Sequence, residues 1–217
     1  MSIMPLEAHN NNIQYVSLVV PLFTTFLGAW FAFLWQNHGD KRRQEHAKHG
    51  ALLKAQALFY EFYEVILSIK RDFLDKHKED KNRMAKVEHI SFCQKFSELD
   101  FEGLSFILAT KSPDLYGDIV NVYRKCISAI EAINERNGQY RKISNGKVEV
   151  EDLSTGEVKV SLSPADLIFL KDFTDIMYRE ADQALLRIKT IDDKLQKFIK
   201  KSFQGKHALK AVGCEKE

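Results

Sequence analysis

The chain has 217 residues, a formal net charge of +2 and 29% charged residues of interspersed sign, which describes a solvated helical surface and not a nucleic-acid-binding arm. Its 3 Cys, an odd number without Cys-x-x-Cys spacing, argue against a disulfide framework or a thiolate metal site. Only 4 Pro and 10 Gly argue against a long disordered linker.

Residues 1–12 form a polar tail whose only charged side chain is Glu7. The stretch Ile13–Trp35 then carries no charge, and a helix of that length rises roughly 35 Å, enough to cross a hydrocarbon core of about 30 Å. A transmembrane helix is therefore expected over 13–37. A cleaved signal peptide fits less well: no cation precedes the run, and no small-x-small cleavage site follows it. Tyr15, Trp30 and Trp35 lie near the ends of the run, where amphipathic rings favour a membrane boundary. Ser17, Pro21, Thr24, Gly28 and Ala32 share one stripe at spacings of mostly four, a pattern that lets helices approach closely or line a lumen with Thr25. Pro21 removes one backbone bond and predicts a kink unless the neighbouring Thr hydroxyls compensate. Lys41, Arg42, Arg43, His46, Lys48 and His49 follow as a basic collar. It reads as a topology signal in contact with anionic headgroups, or as the rim of a vestibule if the chain assembles as a ring. The positive-inside rule places the N-terminus outside and the rest in the cytoplasm, a single-pass protein of the inner membrane with lipid as one partner.

A cytosolic helical bundle is expected over 38–204. Leu53, Ala57, Tyr60, Val65, Ile69 and Phe73 recur at roughly helical period in one long helix over 40–77. Residues 76–87 are a polar connection, and short helices with Phe92, Phe96, Phe101 and Phe106 follow to about Thr110. Ser112-Pro113-Asp114 opens a helix whose stripe Leu115, Ile119, Val122, Cys126, Ile130 and Ile133 predicts a buried face, with Gly138 as a stop. Alternation in 146–162, around Leu153-Ser154-Thr155-Gly156, predicts a β-hairpin that leans on the helices or pairs with a neighbouring subunit. Ser163-Pro164-Ala165-Asp166 caps a last helix with a buried face from Leu167 and Leu170 to Leu195 and Ile199. Lys197, Lys200 and Lys201 suit its C-terminal dipole, and a flexible tail is expected over 205–217.

No Gly-rich phosphate loop, nucleophile elbow or His-Glu-x-x-His motif is present, so no cofactor, metal or small-molecule substrate is expected and no catalytic residue is assigned. Arg136-Asn137 sits near the end of the third bundle helix, followed by Tyr140, Arg141, Lys142 and Ile143. Arg136 alone reads as a helix C-terminal cation. An up-and-down helical domain with Arg-Asn at this place resembles the HEPN family. Its ribonuclease members carry Arg, four to six residues, then His, for proton transfer at a ribose hydroxyl and a fixed cation for phosphate. Here the His is missing. Arg43 with His49 and Arg83 with His89 match the spacing, outside the family's position. An N-terminal membrane helix joined to a divergent HEPN-like bundle resembles the membrane-anchored accessory proteins of type VI-B CRISPR systems. That resemblance implies a homo-oligomeric membrane pore that enhances antiphage defence by an RNA-guided effector or in response to an RNA signal, acting by membrane depolarisation and not as an enzyme. The alternatives are a single-span scaffold that recruits a cytosolic partner, and a tethered ribonuclease using Arg136 and Tyr140.

Overall fold

Three runs of helical periodicity become three long helices in the computed structural model, which describes residues 8–87, 90, 95–145, 148–152, 157–160 and 162–203. They are α1 (Ala8–Ile69), α4 (Asp114–Ser144) and α5 (Pro164–Ser202). Between the first two lie single-turn helices α2 (Arg83–Lys86) and α3 (Phe101–Leu104), with a wide turn at Lys70–Leu74 and tight turns at Asp75–His77 and Ser105–Ala109. Two segments, β1 (Val148–Asp152) and β2 (Glu157–Val160), pair antiparallel, with a register shift between Val150 and Asp152. The chain divides into two units, Met1–Ala47 and Lys48–Glu217.

In the first unit, α1 continues through Pro21. The Thr24 and Thr25 hydroxyls donate to the Pro21 carbonyl at 2.9 and 2.7 Å. The bond that Pro21 itself cannot make is the one to the carbonyl four residues before it. Among the described residues no helix is long and apolar enough to cross a membrane. This overturns the transmembrane helix over 13–37, and with it the single-pass inner-membrane placement. After Trp35 come Gln36, Asn37, His38, Asp40 and Lys41, all exposed or nearly so.

In the second unit the core is a single cluster built from the Ala51–Ile69 part of α1, the loop segments and the inner faces of α4 and α5. Every member of the predicted α4 stripe is buried, and Cys126 is fully so, its thiol pushed up to about 12 by burial. On α5, Leu170, Thr174, Met177, Ala181, Leu185, Ile188, Leu195 and Ile199 are buried. Ser163 caps α5 by accepting from the Asp166 N–H, while Asp166 accepts from the Ser163 N–H, so two orphan donors are satisfied reciprocally.

Three expectations change here. The buried face of α1 carries Leu52, Ala55, Phe59, Phe62 and Ile66, about one residue out of phase with the predicted Leu53, Ala57 and Val65. The α4 helix does not stop at Gly138 but runs one and a half turns further, because Arg136 lies over the Tyr140 ring at 4.9 Å and clamps the turn on either side of the glycine. Its N-cap is Pro113 and not Ser112, and no side chain caps it. The paired segments β1 and β2 add no layer, so the fold with a membrane helix and a hairpin insertion is corrected to an all-helical one. The turn 153–156 and the tail from 204 lie outside the described residues, as do Cys93, Cys214 and His89.

Candidate functional site

The Arg-Asn pair that carries the resemblance lies inside the second unit, on the α4 face turned toward the connection after α1. Arg136 is fully buried and Asn137 is 5% exposed. The Arg136 guanidinium donates through Nη2 to the Met84 carbonyl at 3.1 Å and, more closely, to the Val87 carbonyl. Those two carbonyls belong to the end of α2, where orphan helix acceptors need a donor. Asn137 takes the next residue of described backbone: its Nδ2 donates to the Ile90 carbonyl at 2.7 Å, and its Oδ1 accepts from the Ile90 N–H at 3.2 Å. Its amide therefore pairs with Ile90 as a neighbouring strand would. Burial draws the Arg136 pKa down to about 10, and the Tyr140 and Tyr178 hydroxyls pull it back only in part. The guanidinium remains charged at neutral pH, its Nη2 held by main-chain oxygens.

Tyr178 and Arg83 extend this cluster. Tyr178 donates to the Leu74 carbonyl at 2.6 Å, and burial raises its hydroxyl pKa. The Arg83 guanidinium lies 4.8 Å from the Tyr178 ring and donates to Asp175 at 2.5 Å and to the Lys78 carbonyl at 3.1 Å. Together these residues hold the 74–87 segment and Ile90 against α4 and α5. Arg136 presents no surface to a phosphate, and the Tyr140 ring lies against its guanidinium. Arg83 is ion-paired, and its spacing partner His89 lies outside the described residues.

The remaining predicted residues are placed as follows. In the first unit Pro21, Thr24, Gly28 and Ala32 are exposed, and the Ser17 side chain is outside the described ones. A Cβ at Gly28 would meet nothing within 4 Å. On the rest of the circumference Leu22, Phe23, Phe26, Trp30, Phe31, Phe33 and Trp35 are each more than half exposed, Trp35 at 85%. At 100° per residue these side chains cover an arc of roughly 220°, with Thr24 inside it and Pro21, Gly28 and Ala32 in the remaining arc. Of the basic collar, Lys41, Arg42, Arg43 and His46 are exposed. Lys48 and His49 belong to the second unit, Lys48 lying 5.7 Å from the Phe106 ring and His49 5.2 Å from that of Phe203.

Two groupings were not anticipated. Asp192 is 6% exposed and accepts from Gln56 Nε2 and the Tyr60 hydroxyl at 2.7 Å each, and from Gln196 Nε2 at 2.8 Å. Among the described residues no cation pairs with it. Its legible signal is a carboxylate in phase with Ile188, Leu195 and Ile199. The second grouping is a cleft of about 300 Å³ lined by Ser112, Leu115, Asp118, Lys194, Lys197, Phe198 and Lys201. From the sequence Lys197 and Lys201 read only as dipole partners, and Lys194 was not singled out.

The fold and these side chains define an all-helical domain whose one motif-bearing Arg is a main-chain clamp. Searches against protein families, curated proteins and solved structures give no match.

Proposed function

We propose that this chain is a non-enzymatic accessory protein that works by assembling with further copies of itself through the Pro21–Trp35 part of α1. The observation that carries the reading is the broad exposed aromatic arc of that stretch, an apolar surface of a kind that marks an association site. The same stretch supplies a complementary surface. A narrower low arc runs beside it, built from Pro21, Gly28 and Ala32, with open space over Gly28. A broad ridge and a low arc on one helix favour head-to-tail contacts between copies, which close as a ring or extend as a filament. A non-catalytic role is supported by the engagement of Arg136 with main-chain carbonyls. The resemblance to type VI-B accessory proteins supplies the partner to try first, an RNA-guided RNA nuclease. The membrane pore and the single-span scaffold are not carried forward, since both need a span.

The test is light scattering of the purified full chain beside Gly28→Leu, which would fill the low arc. A discrete oligomer for the parent and a smaller species for the variant are expected. A parent that stays monomeric across concentration overturns the reading.

A further inference from the structure

The cleft between the start of α4 and the last two turns of α5 has the chemistry of an anion site. Lys194, Lys197 and Lys201 stand at i, i+3 and i+7 on α5, a single stripe about 10 Å long. Among the described residues one carboxylate shares the lining: Asp118 accepts from Lys194 at 2.6 Å and fixes that ammonium at one wall. Lys197 and Lys201 are exposed, and among the described residues neither is ion-paired. The floor is apolar, from the buried Leu115 and Phe198. Ser112, on the α4 side, adds a hydroxyl that both donates and accepts. A concave apolar floor with a few convergent polar groups is the usual form of a small-molecule site, and about 300 Å³ is at its small end.

We propose that this cleft binds a small molecule bearing two or three phosphates in a row. Long flexible lysine side chains can converge on neighbouring phosphates, so a di- or triphosphate can take the Lys197 and Lys201 ammonium groups together, with Lys194 beside them at the wall. Charge-assisted hydrogen bonds of this kind are the strong ones. The volume excludes a long chain, and a flat basic surface without a floor would serve a nucleic-acid backbone better. Inorganic pyrophosphate and a nucleoside triphosphate share the chemistry. They differ in whether an apolar group also reaches the Leu115 and Phe198 floor. The site is separate from the α1 surface, so its failure leaves the assembly reading standing.

The experiment is titration calorimetry of the full chain with pyrophosphate, and separately with ATP, at constant ionic strength. One saturable site per chain is expected, weakened about tenfold or more by Lys197→Glu with Lys201→Glu. The exposed Lys200→Glu, a cation of the same helix end outside the cleft, should leave affinity within about twofold. Equal affinities for pyrophosphate and ATP assign recognition to the phosphates, and a tighter ATP assigns a share to the floor; both uphold the proposal. No saturable binding overturns it. So does an equal loss from Lys200→Glu, which would mean a diffuse basic surface. Displacement of pyrophosphate by a short single-stranded RNA that binds more tightly, with a steep salt dependence, overturns it in favour of nucleic acid.

Discussion

Replacing Arg136 separates a structural arginine from a phosphate-binding one. Its two bonds to the Met84 and Val87 carbonyls are charge-assisted, and such bonds contribute roughly 1.5–3 kcal/mol each. The ring contact with Tyr140 adds about 1 kcal/mol. Against this stands the burial of a charge, which lowers the pKa from 12.5 to about 10, a disadvantage of roughly 3 kcal/mol for the charged form. The difference is about 1–4 kcal/mol. Arg136→Met keeps most of the volume but leaves two carbonyls without their donor, so a loss of about 2 kcal/mol is expected. Arg136→Ala adds a cavity and should lose about 4 kcal/mol. Arg136→Lys should behave like the Met variant, since one ammonium cannot bridge both acceptors and stack on the ring. The assay is urea unfolding followed by far-UV circular dichroism, with the slope compared between variants. An Arg136→Ala midpoint equal to that of the parent would refute the clamp and restore the arginine as a functional cation.

Other expectations follow from the same structure. Phe62 is fully buried, stacked on Phe96 at 4.1 Å and edge-on to Tyr123, so Phe62→Ala should lose about 3–5 kcal/mol in denaturant titration. Ser163→Ala removes one half of the α5 capping box and should lose about 1 kcal/mol, a drop of roughly 2–4 °C in the thermal midpoint. Burial and the bond to Asp192 raise the Tyr60 hydroxyl well above its ordinary 10.0. Its contribution is therefore complete below pH 10 and is lost as pH rises through the folded value, because the unfolded chain releases that proton first. Tyr60→Phe should flatten the fall of stability between pH 9 and about 11, measured by urea midpoints; an unchanged slope would contradict the assignment.

The parts of the fold that the sequence announced are those where one face is apolar and the other charged. On α4 and α5 the stripes from Leu115 to Ile133 and from Leu170 to Ile199 have a single phase, and the structure keeps it. On α1 the run Leu52, Leu53, Leu58, Phe59, Tyr60, Phe62 and Tyr63 is apolar on several faces, so periodicity gave no unique phase. Gln56, fully buried, was the residue that looked least suited to the inside. It belongs there because Asp192 waits opposite, a pairing 136 positions away in the chain that no local pattern reveals. Arg136 was misplaced for the same kind of reason. A cation near an expected helix end looks exposed, and only the loop carbonyls of 84 and 87 explain its burial. The cleft lysines come from one stripe, but their wall from α4 is a tertiary fact.

The buried carboxylate of Asp192 also limits how this body can move. Two of its donors, Gln56 and Tyr60, come from one turn of α1 and the third, Gln196, from its own helix, so a slide of α5 along α1 by a single turn would strip a desolvated charge of two of these three bonds at once. Pivoting about that point keeps every bond. A conformational change in the second unit should therefore proceed as a hinge and not as a shear, with Asp192 near its axis.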